Sequence, residues 1–225
     1  MQDQRPGLDW RAGDVPVSRR YDDPYFSLDD GLAETRHVFL DGNDLPGRFR
    51  DGFHVAELGF GTGLNMLMAA EGWAAHGAPG ALHLTSFEAH PMEPADMARA
   101  LAAFPALAQR AARLVAGWRS GAPRIDLGDG TRLEVIIGDA RTALPAWTGR
   151  ADAWFLDGFA PARNPELWQP DLMAAVAAHT VPGGTAATYT AAGHVRRALA
   201  AAGMDVARVP GYGRKRHMTK ARMPR

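Results

Sequence analysis

Two kinds of hydrophobic pattern alternate along most of the chain. Short apolar runs bounded by glycine or polar residues predict strands, and longer segments with apolar positions at helical spacing predict helices. The predicted strands cover 53–58, 82–88, 133–137, 153–156 and 185–190, with one or two more beyond 204, and the predicted helices cover 64–75, 94–104, a short segment ending at 147, 165–179 and 191–201. This alternation predicts an α/β fold with a mostly parallel sheet covered by helices on both faces.

The segment before the first of these strands has a different pattern. Residues 15–45 are predicted to form an N-terminal β extension, and no repeat or low-complexity linker separates them from the rest. We therefore expect an extension over residues 1–45 that packs on a larger α/β domain over residues 46–225.

A cluster of glycines follows the first predicted strand. Glu57-Leu-Gly59-Phe-Gly61-Thr-Gly63 lies at the strand-to-helix turn, where a doubly wound fold binds nucleotides. The G-x-G-x-G spacing differs from the G-x-G-x-x-G of dinucleotide sites, and the chain has no G-x-x-x-x-G-K-[ST] loop. Glu57 would repel a phosphate but suits the positive sulfonium and amino groups of S-adenosyl-L-methionine. The alternative is a glycine turn that serves only helix–strand packing.

Two further acids stand at strand ends where that ligand would need them. Glu88 ends the second strand and is expected to accept hydrogen bonds from both ribose hydroxyls. Asp139 follows the third strand and is expected to accept from the exocyclic amine of adenine. Each acid alone is also explained as a helix cap or a solvated strand end, and Asp139 does precede a predicted helix.

The fourth strand ends in a candidate catalytic loop. Asp152-Ala-Trp-Phe-Leu-Asp157-Gly-Phe159-Ala-Pro161 places an acid, an aromatic residue and a proline after an apolar strand. This order is similar to the [DNS]-P-P-[YFW] loop of amino-group methyltransferases. Methyl transfer needs an unprotonated nitrogen aligned with the methyl group, so Asp157 is expected to hold that nitrogen and Phe159 to flank a planar base. A capping aspartate and a core phenylalanine are the alternatives.

Composition and charge narrow the class of protein. Hydrophobic residues make up 46% and charged residues 22% of 225 residues, which indicates one soluble globular domain. The absence of cysteine excludes disulfides, thiolate metal sites and cysteine nucleophiles. Eight scattered histidines lack the spacing of a metal site, so we expect metal-independent chemistry. The first thirty residues lack an apolar run of ten and no later stretch is long enough to span a bilayer, which predicts a cytoplasmic protein without a membrane partner.

The zero net charge conceals an uneven distribution. Residues 194–225 carry nine basic residues and one acid, a net charge of +8, so the remainder carries −8. A basic edge on an acidic body is expected of a protein that binds a polyanion. The alternative is a solvated surface of an arginine-rich protein.

Five blocks of sequence identify the chain as similar to a known family. The blocks are Phe26-Ser27 with Gly31-Leu-Ala-Glu34-Thr-Arg36, Gly59-Phe-Gly-Thr-Gly-Leu-Asn65, Ser86-Phe-Glu88, Asp152 to Pro161 with Asn164-Pro165 and Trp168, and Gly211-Tyr-Gly-Arg-Lys-Arg216. Over residues 15 to about 220 they resemble the methyltransferase domain of the tRNA 5-methylaminomethyl-2-thiouridine biosynthesis family. The resemblance implies a Rossmann-like class I methyltransferase fold.

The resemblance also implies a reaction. A methyl group would pass from S-adenosyl-L-methionine to the aminomethyl nitrogen of 5-aminomethyl-2-thiouridine at the tRNA wobble position 34. Phe60, Asn65 and Asp157 would join the cofactor-binding residues. In many members an FAD-dependent oxidase first removes carboxymethyl from that nitrogen, but this chain has no flavin-type G-x-G-x-x-G, so oxidation is not expected from it. A single-domain enzyme and the methyltransferase half of a bifunctional protein both fit.

The family resemblance gives the basic end a role. The loop Gly211 to Arg216 would lie at the mouth of the active site and contact the tRNA anticodon arm, with Arg214, Lys215 and Arg216 on phosphates and Tyr212 stacked on an exposed base. A plain basic hairpin tip is the alternative. Two other functions are alternatives. The glycine spacing and Glu57 disfavour a nicotinamide-dependent oxidoreductase, and a non-catalytic tRNA-binding domain would not need all four strand-end acids.

Overall fold

The structure is a computed structural model that describes residues 5–27, 30–77, 79–213 and 215–225. Its strands are β1 Leu8–Arg11, β2 Val15–Ser18, β3 Asp23–Pro24, β4 Phe53–Leu58, β5 Leu82–Glu88, β6 Ile125–Gly128, β7 Thr131–Ile137, β8 Ala151–Leu156, β9 Thr180–Thr188, β10 Asp205–Pro210 and β11 His217–Arg222. Its α-helices are α1 Gly31–Thr35, α2 Leu64–His76, α3 Pro94–Leu101, α4 Ala108–Ser120, α5 Ala140–Ala146, α6 Pro170–Ala178 and α7 Gly193–Ala201.

The central sheet has, within the described residues, eight strands in the order β10-β11-β9-β8-β4-β5-β7-β6. The five strands from β9 to β7 are parallel to one another, and the antiparallel pairs β10–β11, β11–β9 and β6–β7 lie toward the two edges. The strand order reverses at β4, because β5 pairs on one side of it and the later β8 on the other. A reversal of this kind leaves a crevice at the carboxyl ends of the strands, where ligands bind in α/β sheets.

Helices cover both faces of this sheet, as predicted. Alternate residues of β4 point to opposite faces, so Val55 belongs to one buried cluster and Ala56 to the other. The first cluster includes Trp73 of α2, and the second includes Val176 of α6. The α/β fold class read from the apolar runs is therefore confirmed.

The N-terminal region differs in part from the prediction. β1, β2 and β3 form a small antiparallel sheet, but residues 31–43 are helical: α1 continues into a π-helical turn over Arg36–Leu40 and a 3-10 turn over Asp41–Asn43. The prediction of β structure up to residue 45 is wrong there because Asp30 caps α1 by accepting a hydrogen bond from the Ala33 amide. The division of the chain at residue 45 stays a prediction.

Proline sets another boundary that differs from the prediction. The segment predicted as one helix over 165–179 consists of a 3-10 turn over Pro165–Trp168 and the separate helix α6, which Pro170 begins. In the described ranges, no helix has the length and apolar character needed to cross a membrane.

Candidate active site

A cavity of about 1440 Å³ opens at the carboxyl ends of the parallel strands. Its wall includes a residue from the end of each parallel strand or the turn just beyond it: Gly59 after β4, Glu88 of β5, Asp139 after β7, Asp157 after β8 and Tyr189 after β9. Three of the four strand-end acids predicted from the sequence, Glu88, Asp139 and Asp157, therefore line one cavity, and Glu57 does not.

The backbone of the glycine loop forms part of the wall of this cavity. Gly59, Gly61 and Gly63 all have positive φ, of 87°, 55° and 81°. A Cβ at Gly59 would collide with the carbonyl oxygen of Asp157, so only glycine allows β4 and β8 to end so close together. Gly59, Phe60 and Gly61 line the cavity, whereas Gly63 is packed against Leu114 and Phe60 at the start of α2. Packing therefore accounts for Gly63.

Glu88 fixes the glycine loop to the end of β5. Its Oε2 accepts a hydrogen bond from the Gly61 amide at 2.9 Å, and its Oε1 accepts one from the His90 amide at 2.7 Å. A carboxylate has about four acceptor sites, so two remain for a ligand in the cavity. The predicted contact with ribose hydroxyls uses this remaining capacity.

Glu57 lies behind the cavity rather than on its wall. Its side chain is fully buried, with Oε1 accepting from Asn65 Nδ2 at 2.9 Å and Oε2 from Ser86 Oγ at 2.7 Å. Burial raises the pKa of Glu57 well above its ordinary value. Glu57 is therefore not on the cavity wall beside Glu88 and Asp139, because its side chain faces Asn65 and Ser86, and its contact with the cofactor stays a prediction.

Asn65 connects Glu57 with the candidate catalytic acid. Its Nδ2 also donates to Asp157 Oδ2 at 2.7 Å, and its Oδ1 accepts from the hydroxyl of Thr35 at 3.1 Å. Burial raises the pKa of Asp157 to about 6, against the opposing effects of Asn65 and Lys215. Asp157 is therefore mostly ionised at neutral pH and able to accept a proton or hydrogen bond from a ligand.

Phe159 is covered by the N-terminal extension. Tyr21 stacks on its ring at 4.7 Å between centroids, and Tyr25 meets it edge-on at 5.1 Å. The loop is held beneath these rings because the Ala160 amide donates to Asp23 Oδ2 at 2.9 Å. Phe159 lines the cavity, so a role beside a planar base stays a prediction.

Asp139 acts as a helix cap. Its carboxylate accepts from the Arg141 amide at 2.9 Å and forms an ion pair with the Arg141 guanidinium. Hydrogen bonding to that guanidinium lowers the pKa of Asp139. The capping alternative thus holds in the structure, while Asp139 still lines the cavity, and its contact with an adenine amine stays a prediction.

The basic loop joins β10 and β11 at one edge of the sheet and reaches the same cavity. Tyr212 and Lys215 line the cavity, Arg216 is exposed and not part of its wall, and Arg214 lies outside the described residues. Lys215 Nζ is 2.6 Å from Glu34 Oε1 and 4.0 Å from the centroid of the Tyr189 ring. Lys215 therefore has an intramolecular partner, which the local sequence does not predict.

Several residues of this wall were missed by reasoning from the sequence. Glu34 carries no pattern that marks it as functional, and Tyr21 lies in the turn between β2 and β3. Tyr189 had a usable signal, since it directly follows a buried strand at the ligand-binding edge. Across the described residues, no group of three or more His, Cys, Asp or Glu side chains is placed to hold a metal ion.

Comparison with known families decides the class of enzyme. The family model for S-adenosyl-L-methionine-dependent methyltransferases matches residues 104–224, more than half of the chain. The chain belongs to this family. S-adenosyl-L-methionine is accordingly its cofactor, as predicted from the glycine loop and the acids.

Curated relatives of this methyltransferase share one description. The tRNA 5-methylaminomethyl-2-thiouridine biosynthesis bifunctional protein MnmC of Caulobacter sp. (strain K31) is 49% identical over 96% of this chain, and its counterpart in Stutzerimonas stutzeri is 46% identical over 98%. The alignments cover 38% and 35% of those proteins. The methyltransferase thus spans between a third and two fifths of the relatives' length.

Solved structures support the fold. MNMC2 from Aquifex aeolicus superposes with a TM-score of 0.73 at 23% identity, covering 100% of this chain and 73% of that one. TrmN from Thermus thermophilus gives a TM-score of 0.53 at 18% identity, covering 92% of this chain and 53% of that one. At these identities the likeness concerns the fold alone.

The cavity of the methyltransferase fits its cofactor. The open backbone at Gly59 and Gly61 permits close approach, and carboxylates at Glu88, Asp139 and Asp157 suit a ligand with two positive groups and a ribose. Glu88 and the glycine loop are the residues expected to hold it. When bound, this cofactor supplies an electrophilic methyl group.

Proposed function

We propose that this methyltransferase methylates the aminomethyl nitrogen of 5-aminomethyl-2-thiouridine at the tRNA wobble position, giving 5-methylaminomethyl-2-thiouridine. The observation that carries the proposal is the position of Asp157, which shares one cavity with the cofactor loop and with Tyr212 and Lys215 of the basic loop. The description of the MnmC relatives supports the choice of tRNA and of this nucleoside.

Asp157 would prepare the acceptor nitrogen. An amine attacks only through a free lone pair, so a protonated aminomethyl group must first lose one proton. The carboxylate of Asp157, with a pKa of about 6, can take that proton or accept a hydrogen bond that orients the nitrogen. Asn65 keeps the carboxylate in place through its 2.7 Å hydrogen bond. Positioning of this kind supplies much of the catalysis in a transfer that needs little other proton chemistry.

The surface around the cavity suits a nucleic acid. The wobble base would enter beside Phe159 and Tyr212, and the basic loop would contact phosphates of the anticodon arm. The aminomethyl group itself would come from a preceding oxidation that removes carboxymethyl, carried out by an FAD-dependent oxidase domain or enzyme. A tRNA substrate agrees with the cytoplasmic location expected from the sequence.

The proposal is tested with tRNA from cells that lack this modification. The protein is incubated with that tRNA and methyl-labelled S-adenosyl-L-methionine, and the nucleosides are separated after digestion. We expect label in 5-methylaminomethyl-2-thiouridine. Label in another nucleoside or in protein would refute the proposal, and cofactor binding without any transfer would favour a non-catalytic tRNA-binding domain.

A further inference from the structure

Three side chains meet on the wall of the cavity away from the cofactor loop. The ammonium of Lys215 lies between the carboxylate of Glu34, at 2.6 Å, and the ring of Tyr189, with 4.0 Å from Nζ to the ring centroid. All three residues line the cavity. The carboxylate is the more buried partner, since the Glu34 side chain is 17% exposed and that of Lys215 is 45% exposed.

A carboxylate beside an aromatic face is a binding site for an ammonium group. The carboxylate supplies a charge-assisted hydrogen bond and the ring supplies a cation–π contact. In this structure the site holds the protein's own ammonium, which shows that the space accepts a primary ammonium with both contacts made. Lys215 reaches it on a flexible four-carbon stem from a loop at the protein surface, so this occupant is replaceable.

Hydrogen bonds link this site to the candidate catalytic loop, directly from Tyr189 and, on the other side, from Thr35, the neighbour of Glu34. Tyr189 donates from its hydroxyl to the carbonyl oxygen of Gly158 at 2.6 Å, one residue after Asp157. Glu34 precedes Thr35, whose hydroxyl donates to Asn65, and Asn65 in turn donates to Asp157. The ammonium site therefore adjoins the acid that is proposed to receive the acceptor nitrogen.

We propose that Glu34 and the ring of Tyr189 form a subsite that holds the ammonium group of the methyl acceptor before Asp157 takes its proton, and that Lys215 occupies this subsite in the free protein. The inference rests on the proposed function, because that function supplies an acceptor with a primary ammonium. A bound aminomethyl group displaces Lys215, whose charge is then free to face a tRNA phosphate. The subsite selects a cationic acceptor over a neutral one of the same size.

Two nucleosides and two variants test this subsite. Binding of 5-aminomethyluridine and of 5-hydroxymethyluridine, which has the same size but no ammonium, is measured by calorimetry on protein saturated with S-adenosylhomocysteine. In the unaltered protein we expect the aminomethyl compound to bind more tightly. Glu34→Gln should weaken its binding about tenfold and leave the hydroxymethyl compound unchanged, since only the ammonium uses the charge.

Lys215→Met should have the opposite effect to Glu34→Gln if the ligand's ammonium can replace that of Lys215 in the subsite. It should strengthen binding of the aminomethyl nucleoside about three- to tenfold, because the ligand no longer competes with an internal ammonium. Glu134→Gln and Lys220→Met are matched controls: each removes the same charge from a surface ion pair outside this cavity, with Arg124 and Asp44 respectively. Neither control should change the preference between the two nucleosides.

The possible outcomes separate this inference from the proposed function. Unchanged aminomethyl binding in Glu34→Gln, or weaker binding of both nucleosides in Lys215→Met, would overturn the subsite. Transfer of methyl to tRNA together with either of those results would leave the proposed function standing. A Glu34-dependent preference for the ammonium without any transfer to tRNA would support the subsite and refute the proposed methylation of tRNA.

Discussion

Asn65 donates a hydrogen bond from Nδ2 to Oδ2 of Asp157 at 2.7 Å, across the gap between the start of α2 and the end of β8. The same nitrogen donates to Oε1 of Glu57 at 2.9 Å, so one amide group serves two acids whose pKa values are raised mainly by burial. An amide has two N–H donors and can satisfy both acceptors at once. Among the described residues, this arrangement fixes the candidate catalytic carboxylate without a positive charge in direct contact with it.

Asp157→Asn should stabilise the protein at neutral pH. The folded-state pKa of Asp157, about 6, lies above the ordinary value of 3.8, so folding favours the protonated form. That contribution is complete below about pH 4 and is lost as the pH rises through about 6. Because Asp157 lines an open cavity and water offsets part of the effect, we expect a gain of about 1–2 kcal/mol in the free energy of unfolding at pH 7.5.

Urea unfolding at pH 7.5 and pH 4.5 checks this expectation. The gain from Asp157→Asn should shrink at the lower pH. Asp205→Asn, which changes an exposed aspartate on edge strand β10, serves as the control and should show no comparable gain. An equal gain at both pH values would mean that the effect does not come from ionisation of Asp157.

Asp157→Ala should slow methyl transfer while cofactor affinity stays within a few fold. The carboxylate is proposed to act on the acceptor nitrogen, so its removal affects mainly the transition state. Single-turnover rates on tRNA with the aminomethyl group, combined with calorimetry of cofactor binding, separate the two effects. In the unaltered protein the rate should rise with pH, as Asp157 ionises near pH 6 and the amine then loses its proton. Unchanged single-turnover rates would assign the role to another group.

The sheet and the place of the site were predictable from local sequence. Strand β8 is buried at all six positions and apolar at every one except Asp152, which is typical of a strand covered on both faces. Acids directly after such runs must fall at one edge of a parallel sheet, so Glu88, Asp139 and Asp157 could be brought together without coordinates.

Helix α4 is not among the predicted elements, although Ala111, Leu114 and Val115 have helical spacing. Its buried Arg110, paired with Glu71 and Asp129, interrupts the apolar stripe.

What the sequence did not predict depends on distant contacts. The Glu34–Lys215 ion pair joins residues 181 positions apart, and no local pattern specifies such a pairing. Glu57 is fully buried because β4 lies between two other strands, with Ser86 and Phe155 paired beside it. The pattern of a single strand does not show this pairing. Asp139 could be predicted equally well as a cap or as a ligand contact, because one carboxylate at a helix start can serve either purpose.

Glu88→Ala should weaken cofactor binding about ten- to a hundredfold, through loss of a charge-assisted contact worth roughly 1.5–3 kcal/mol. Part of this loss would come from the glycine loop, since the Gly61 amide also loses its acceptor. Glu88→Gln separates the two contributions, because an amide oxygen can still accept from Gly61 but carries no charge. Calorimetry that finds unchanged affinity in Glu88→Ala would contradict the assignment of this residue to the ribose.

Replacing Arg214 and Arg216 together with Ala should weaken tRNA binding and reduce its dependence on salt. Each phosphate contact releases counterions, so the slope of log affinity against log salt should fall by up to about 2 for the two charges. Lys215 is kept, because its removal would also free Glu34. The matched control replaces Arg124 and Arg132, two exposed basic residues outside the +8 segment, which lowers the net charge equally. Binding titrations at several salt concentrations should show the smaller slope only in the first variant. Equal changes in both would mean that overall charge, rather than this loop, attracts the tRNA.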